Sequence, residues 1–366
     1  IFLFAAVIIS AVASLATGSS WSTIATIGVA LLGIGQALGF PTGLIAGGII
    51  SGAYFGDKMS PLSDTTNLAP AISGTDLFKH IRYMMHTTIP SFVITLILFL
   101  IIGVNFKPTG IQDVNELILT LNNTFNVTGW LFLVPILVII LIIKKTPAIP
   151  TLLIGTILGG IFAIIFQPEI VMSITNAKTL NYNSGYMGII DAMSNNITIT
   201  TNHQMINSLL STSGMSGMLN TIWLIICAMI FGATMETTGL LKRITMPLTK
   251  YAKSTGSLIT TTSGTCIFFN ITASDQYLSI IVPGRMFANT YKERGLSAEN
   301  LSRTLEDSGT VTSVLVPWNT CGATQSAILG VSTFAYLPYC FFNIISPFMT
   351  IAYAYLNIKI KQLDNN

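Results

Sequence analysis

Pro41-Thr-Gly-Leu-Ile-Ala-Gly-Gly-Ile-Ile-Ser-Gly-Ala-Tyr-Phe-Gly56-Asp57-Lys58-Met59-Ser60-Pro61-Leu62-Ser63-Asp64-Thr65-Thr66-Asn67 joins an apolar run to an abrupt polar cluster. No charged side chain precedes Asp57, and then two acids, one base and four hydroxyls follow within eleven positions. A stretch of that length without charge needs a solvent other than water, because a membrane-crossing helix takes about 20 mostly apolar residues and tolerates few charges. Outside this stretch the pattern repeats. The whole chain has 17 basic and 14 acidic residues, 8% of 366, where soluble domains carry about 25%. Charges cluster in windows 57–82, 236–253 and 275–307, and residues 308–358 hold none. Mean hydropathy is +0.70. An ordinary soluble enzyme is excluded, and an all-α polytopic membrane protein with about ten membrane elements is expected. The lipid bilayer is its first partner. The net charge of +3 selects no other, no nucleic acid is expected, and a homodimer is left open.

Ile1 already lies inside an apolar run, so a single transmembrane domain over 1–366 is expected to lack its natural N-terminus. No basic n-region marks residues 1–17 as a signal peptide. Cys227, Cys266, Cys321 and Cys340 have no paired spacing for zinc, haem or redox chemistry, and no cofactor is expected. Uncharged runs suggest spans near 1–17, 21–38, 41–56, 89–106, 127–143, 147–166, 217–235, 257–274, 276–289, 308–332 and 335–356. The run 41–56 and the pair around Asp275 are short and interrupted by Gly or Pro, as half-helices that enter and return would be. Basic residues collect in cytoplasmic loops, which puts Lys144–Lys145 and the group Lys242, Arg243, Lys250 and Lys253 inside, and the polar stretch 167–216 outside. A re-entrant hairpin with its tip near Asn270–Asp275 keeps Lys292, Arg294 and Arg303 on the inner side.

A faint internal repeat relates Thr75-Asp-Leu-Phe-Lys-His-Ile-Arg to Glu299-Asn-Leu-Ser-Arg-Thr-Leu-Glu, each following a Gly/Ser-Asp element, Gly56-Asp57 or Ser274-Asp275. It would make 1–166 mostly a first repeat and 217–356 mostly a second. Weak symmetry with a broken segment in each half points to a transport site at the repeat interface.

Three foci could carry chemistry. In the first, Ser60-Pro61 disfavours continuous helix. The freed carbonyls, with Asp57, Ser60, Ser63, Asp64, Thr65, Thr66 and Asn67, make a ligand set suited to Na⁺, with Lys58 beside them as an ion- or substrate-binding candidate; a solvated loop is the bland alternative. The second is Asp275, a lone charge in apolar sequence, with Asn270, Thr272 and Ser274 before it. Intramembrane ionisable groups are functional candidates, and a loop between two helices is the alternative. The third is Glu306-Asp307-Ser308-Gly309-Thr310 with Pro317-Trp318-Asn319-Thr320, where a helix break would aim half-helix ends at an ion. Helix N-capping competes as the reading of Glu306 and Asp307. Glu236 reads as a boundary charge, Arg285 as an ion-pair or snorkelling residue, and His80 and His86 as pH-sensor candidates of low weight.

The first focus, with His80-Ile81-Arg82, Asp275-Gln276-Tyr277, Pro283-Gly284-Arg285, Leu305-Glu306-Asp307-Ser308-Gly309-Thr310 and Pro317-Trp318-Asn319-Thr320, resembles the signature of the NhaC-type sodium/proton antiporter family. The motifs run in order over roughly 40 to 330. The resemblance implies a multi-pass secondary antiporter of the bacterial inner membrane, built from inverted repeats with re-entrant hairpins and broken helices, with sodium and protons as cargo. Some relatives resemble sodium-coupled exchangers of malate and lactate, so a small carboxylate substrate is the second expectation. Competition at shared carboxylates would couple the ions. The transient sodium ligands are ranked Asp275, Asp64 and Asp57, with Asp307 behind them and Ser308, Thr310, Asn319 and Thr320 completing the site. A presenilin-like protease lacks its Gly-X-Gly-Asp here, and zinc proteolysis lacks His-Glu-X-X-His. A channel remains the other transport alternative.

Overall fold

In the computed structural model, the described residues are 1–106, 119–120, 122–144, 146, 148–200, 207, 211–212, 214–240, 243 and 254–363. Among them the chain is all-α, apart from a two-residue antiparallel pairing of Ile197–Thr198 with Ser211–Thr212. Lys145, Lys242, Lys250, Lys253 and His203 lie outside the described residues.

Two compact units divide the chain. The first comprises 1–36, 40–107 and 223–366. It contains α1 (Phe2–Thr17), α2 (Ser20–Ala37), α3 (Thr42–Met59), α4 (Asp64–Ser73) and α5 (Leu77–Asn105). The second comprises 37–39 and 108–222, with α6 (Leu133–Ile143), α7 (Ala148–Phe166), α8 (Pro168–Thr175) and α9 (Tyr182–Ser194). After α10 (Leu219–Thr237), the first unit resumes with α11 (Thr255–Thr272), α12 (Gln276–Glu293), α13 (Ala298–Leu305), α14 (Thr320–Leu329) and α15 (Phe341–Tyr355).

Helix α5 shows the chain's inverted amphipathicity. Ile89, Val93, Ile97, Ile101 and Val104 are exposed, whereas His80, Thr87, Thr88, Ser91 and Thr95 are fully buried. Polar inside and apolar outside is the arrangement a lipid solvent selects, because a buried hydroxyl can bond within its own helix. Ser91 Oγ does so, donating to the Thr87 carbonyl at 2.8 Å, and Thr95 Oγ1 donates to the Ser91 carbonyl at 2.8 Å.

Among the described residues, α2 and α5 are each long and apolar enough to cross a membrane. Two bent pairs pass the same test together, Leu153–Phe166 with Pro168–Thr175 at 101° and Thr333–Tyr339 with Phe341–Tyr355 at 55°. Helices α11 to α14, which surround the candidate site, do not pass it: α11 and α14 are rich in Ser, Thr and Gly, and α12 and α13 carry charged residues. The expected span 89–106 begins a dozen residues earlier, because Asp76 caps α5 by accepting from Phe78 N and Lys79 N. The expected helix 308–332 does not exist as one element. Helix α13 continues through a π-helical turn, Glu306–Thr310, and a short 3₁₀ turn, Ser313–Leu315, before α14 starts at Thr320.

Two helix breaks and one hairpin therefore shape the first unit. Between α3 and α4, Ser60 is extended ahead of Pro61, as the steric clash with the proline ring demands. Between α13 and α14, Pro317 interrupts the chain and Asn319 caps α14, its Oδ1 accepting from Cys321 N at 3.0 Å. Helices α11 and α12 form a hairpin turning at 273–275, where Ser274 adopts a left-handed φ of 59° and its carbonyl accepts from Thr320 N at 2.9 Å.

Helix α3 reaches the centre of this unit because glycine lets it lie directly on α1. A Cβ on Gly52 would meet the Val7 carbonyl oxygen at 2.2 Å, and one on Gly56 the Ala11 carbonyl oxygen at 2.2 Å. Small residues four apart permit such backbone contact. Gly52→Ala and Gly56→Ala should each push the helices apart and destabilise the fold by about 1–3 kcal/mol. Thermal unfolding of detergent-solubilised protein checks this, and unchanged midpoints in both would reject the contact.

Candidate functional site

The last turn of α3 carries Asp57 and Lys58 into the protein interior. Lys58 and Asp307 form an ion pair, both side chains fully buried. The remaining donors and acceptors are accounted for: Thr87 Oγ1 donates to Asp307 Oδ2 at 2.8 Å, Ser346 Oγ donates to Asp307 Oδ1 at 3.1 Å, and Lys58 Nζ lies 3.2 Å from Ser346 Oγ. The ammonium also stands 5.6 Å from the centroid of the Phe342 ring. One pair thus ties α3, α5, α13 and α15 together. Helix α13 is capped at Ser297, so Glu306 and Asp307 cannot be capping residues. They occupy its interior, within the π turn, and both are fully buried.

Asp57 points elsewhere. Its Oδ2 accepts from Ser20 N at 3.1 Å and Ser20 Oγ at 2.6 Å, which sets the carboxylate at the first turn of α2, where the helix dipole favours negative charge. Asp275 caps α12, its Oδ1 accepting from Leu278 N at 2.9 Å, and is half-buried. Asp64 is exposed on the first turn of α4. The phenol of Tyr277 is within electrostatic reach of Asp57, Asp64 and Asp275.

The hydroxyls and amides of the first focus are mostly spent on the break itself. Thr66 Oγ1 donates to the Lys58 carbonyl at 3.0 Å, and Asn67 Nδ2 donates to the carbonyls of Pro61 at 2.9 Å and Ser63 at 2.7 Å. Ser60 Oγ accepts from Leu62 N, and Ser63 Oγ pairs with Thr65 Oγ1 at 3.3 Å. Side chains thereby replace the partners that a broken helix loses at its ends.

At the second break, three carboxamides from three helices hold the freed carbonyls. Asn270 Nδ2 donates to Gly309 O at 2.7 Å, Gln276 Nε2 to Thr310 O at 3.1 Å, and Asn343 Nδ2 to Val311 O at 2.8 Å. Asn319 Nδ2 in turn donates to Asn270 Oδ1 at 3.1 Å, and Ser308 and Ser263 hydroxyls meet at 2.7 Å. Thr272 turns onto its own helix and Thr320 Oγ1 lies 3.4 Å from Asn319 Oδ1.

Of the expected site residues, the structure gathers Lys58, Asn270, Asp307, Ser308, Thr310 and Asn319 around one π turn, while Asp57, Asp64 and Asp275 stand nearer Tyr277. Thr87, Glu306, Asn343 and Ser346 belong to the centre and were not among the expected ligands. Asn343 and Ser346 had a faint signal, as polar residues in the uncharged run 308–358. Thr87 had none, since nothing in sequence separates it from Thr88.

The chain matches the model of the Na⁺/H⁺ antiporter family over residues 52–358. It belongs to that family. A Na⁺/H⁺ antiporter NhaC of Alkalihalophilus pseudofirmus is 39% identical over 359 residues, 98% of this chain and 75% of that protein. A malate-2H⁺/Na⁺-lactate antiporter of Bacillus subtilis is 38% identical over 368 residues, 100% of this chain and 75% of that protein. An arginine/ornithine antiporter, ArcD, of Halobacterium salinarum is 34% identical over 375 residues, 100% and 73%. The motif at 57–67 and those between 275 and 320 all fall inside the matched region. The family is one of transporters rather than enzymes.

Removing one member of a buried ion pair strands the other, at a cost of about 3–5 kcal/mol. Lys58→Met and Asp307→Asn should therefore each destabilise strongly, and the double variant should be far less unstable than the sum, as a double-mutant cycle of unfolding midpoints would measure. Additive losses would show that the two groups are not paired.

Proposed function

We propose that this protein is a secondary antiporter that exchanges sodium for protons across the bacterial inner membrane by alternating access. One observation carries the reading: Glu306 lies within electrostatic reach of two further acids, Asp57 and Asp307, and of one ammonium, Lys58, in the buried centre. Unless neutralised, such a cluster is too negative for a low-dielectric interior. Protons and a sodium ion can each supply the missing positive charge, and each excludes the other, since a protonated carboxyl no longer attracts a cation. That competition couples the two gradients without a covalent step. Asp64 and Asp275, within electrostatic reach of Tyr277 as Asp57 also is, are less buried acids that would receive the ions nearer water.

The architecture we infer for this activity has about ten membrane elements, arranged as inverted repeats that meet at the two breaks and the α11–α12 hairpin. Rocking of one repeat against the other would expose the centre alternately to each side. Sodium/proton-coupled exchange of organic acids is the second reading, favoured by the relative named a malate-2H⁺/Na⁺-lactate antiporter at 38% identity.

Membrane vesicles carrying the protein and an imposed pH gradient test both. Added Na⁺ should collapse the gradient without malate or lactate. A requirement for either acid would favour the second reading, and Na⁺ flux with no pH response would point to a channel. Where one proton competes with one Na⁺, the apparent KM for Na⁺ should fall by up to about tenfold per unit rise in pH; a flat KM would reject competition. Asp57→Asn, Asp64→Asn and Asp275→Asn should each reduce exchange in the same vesicles by about 10- to 100-fold while leaving folded protein in the membrane, and wild-type rates would remove that residue from the path.

A further inference from the structure

Beside the Lys58–Asp307 pair, the unpartnered buried side-chain atoms include His80 Nε2 and a group of oxygens. Both carboxylate oxygens of Glu306, the hydroxyl of Thr310 and the side-chain carbonyl of Asn343 have no hydrogen-bond partner, and all three residues are fully buried. Glu306 and Thr310 are the first and last residues of the π turn. The Thr310 hydroxyl approaches the Glu306 carboxylate without reaching hydrogen-bond geometry. Asn343 is anchored one residue further on: its Nδ2 donates to Val311 O at 2.8 Å, which leaves Oδ1 as the open end of the amide. The neighbouring backbone oxygens are already used, Gly309 O by Asn270, and Thr310 O by Gln276 and Ser313.

What is unsatisfied here is almost entirely acceptor. Four oxygens face burial with one hydroxyl proton among them, so the group cannot satisfy itself by rotating side chains, and a buried unmet acceptor costs about 1–3 kcal/mol, more when charged. The nearby ammonium, Lys58, is already engaged with Asp307 and Ser346. Contrast the carboxamides Asn270 and Gln276, both ends of which are bonded. We propose that Glu306, Thr310 and Asn343 form a binding site for a dehydrated monovalent cation of the size of sodium, next to the Lys58–Asp307 pair. Hard oxygen donors suit alkali and alkaline-earth cations rather than transition metals. A single carboxylate beside neutral oxygens matches one positive charge better than two.

This site rests on the sodium-exchange reading and locates the ion within it. The π turn is itself a geometry that recurs at functional sites, and Glu306 and Thr310 are its first and last residues. The positioning carboxamides Asn270 and Gln276 keep the turn open by taking the carbonyls that an α-helix would have bonded.

The test uses the whole protein in two measurements. In detergent, NaCl should raise the thermal midpoint of the wild type above that in choline chloride of equal ionic strength. Glu306→Gln, Thr310→Val and Asn343→Leu should lose that sodium-specific gain, and Asn343→Asp should keep it. In vesicles, Thr310→Val, which is isosteric and should fold normally, should raise the apparent KM for Na⁺ by about 10- to 100-fold with exchange recovered at saturating Na⁺. Thr310→Val and Asn343→Leu with the wild-type KM and the wild-type sodium gain would overturn the site. If the wild type gains stability from sodium but exchanges none for protons, the antiport reading fails while the cation site stands.

Discussion

An ammonium and a carboxylate removed from water together form the constraint on which this molecule turns. Each ion loses several kcal/mol of hydration on burial, and their attraction offsets the loss only where the geometry is tight and the leftover lone pairs are bonded. Lys58 and Asp307 meet that condition through Thr87 on one side, Ser346 on the other and the ring of Phe342 beneath the ammonium. Because those residues come from four helices, holding the pair fixes how α3, α5, α13 and α15 cross. The glycines of α3 belong to the same requirement, since Lys58 reaches the pair only when α3 lies in backbone contact with α1.

Broken helices follow from the same need. A continuous helix hides its carbonyls and amides, and an unwound one offers them, at the cost of finding partners where no water is available. The two breaks solve this differently. The first is stitched locally, by Thr66 and Asn67 of the helix that follows it. The second is stitched from a distance, by Asn270, Gln276 and Asn343. A locally stitched break is self-contained, whereas one held by three other helices registers any movement of those helices. The π turn is thus connected by hydrogen bonds to the α11–α12 hairpin and to α15.

The chain belongs to the Na⁺/H⁺ antiporter family, and relatives it resembles are named for sodium, malate, lactate, arginine and ornithine. In this chain Tyr277 lies within electrostatic reach of Asp57, Asp64 and Asp275.

Charge scarcity and its clumping determined, from sequence alone, that the chain is helical and made for lipid, because a residue's transfer cost depends on its type and hardly on its neighbours. Proline and glycine in Ser60-Pro61 and Pro317–Gly322 likewise made the breaks legible, and Ser274-Asp275 the hairpin turn, since these preferences are local. The ranking of carboxylates was not legible. Asp275 looked the most isolated along the chain, yet among the described residues the fully buried acids are Glu306 and Asp307, which in sequence resemble a helix cap. Only tertiary structure decided that Lys58 faces Asp307 across 249 positions, that Thr87 rather than Thr88 bonds the carboxylate, and that Asn343 presents an unmet oxygen. Burial and pairing are properties of the space between helices, and no single stretch of chain carries them.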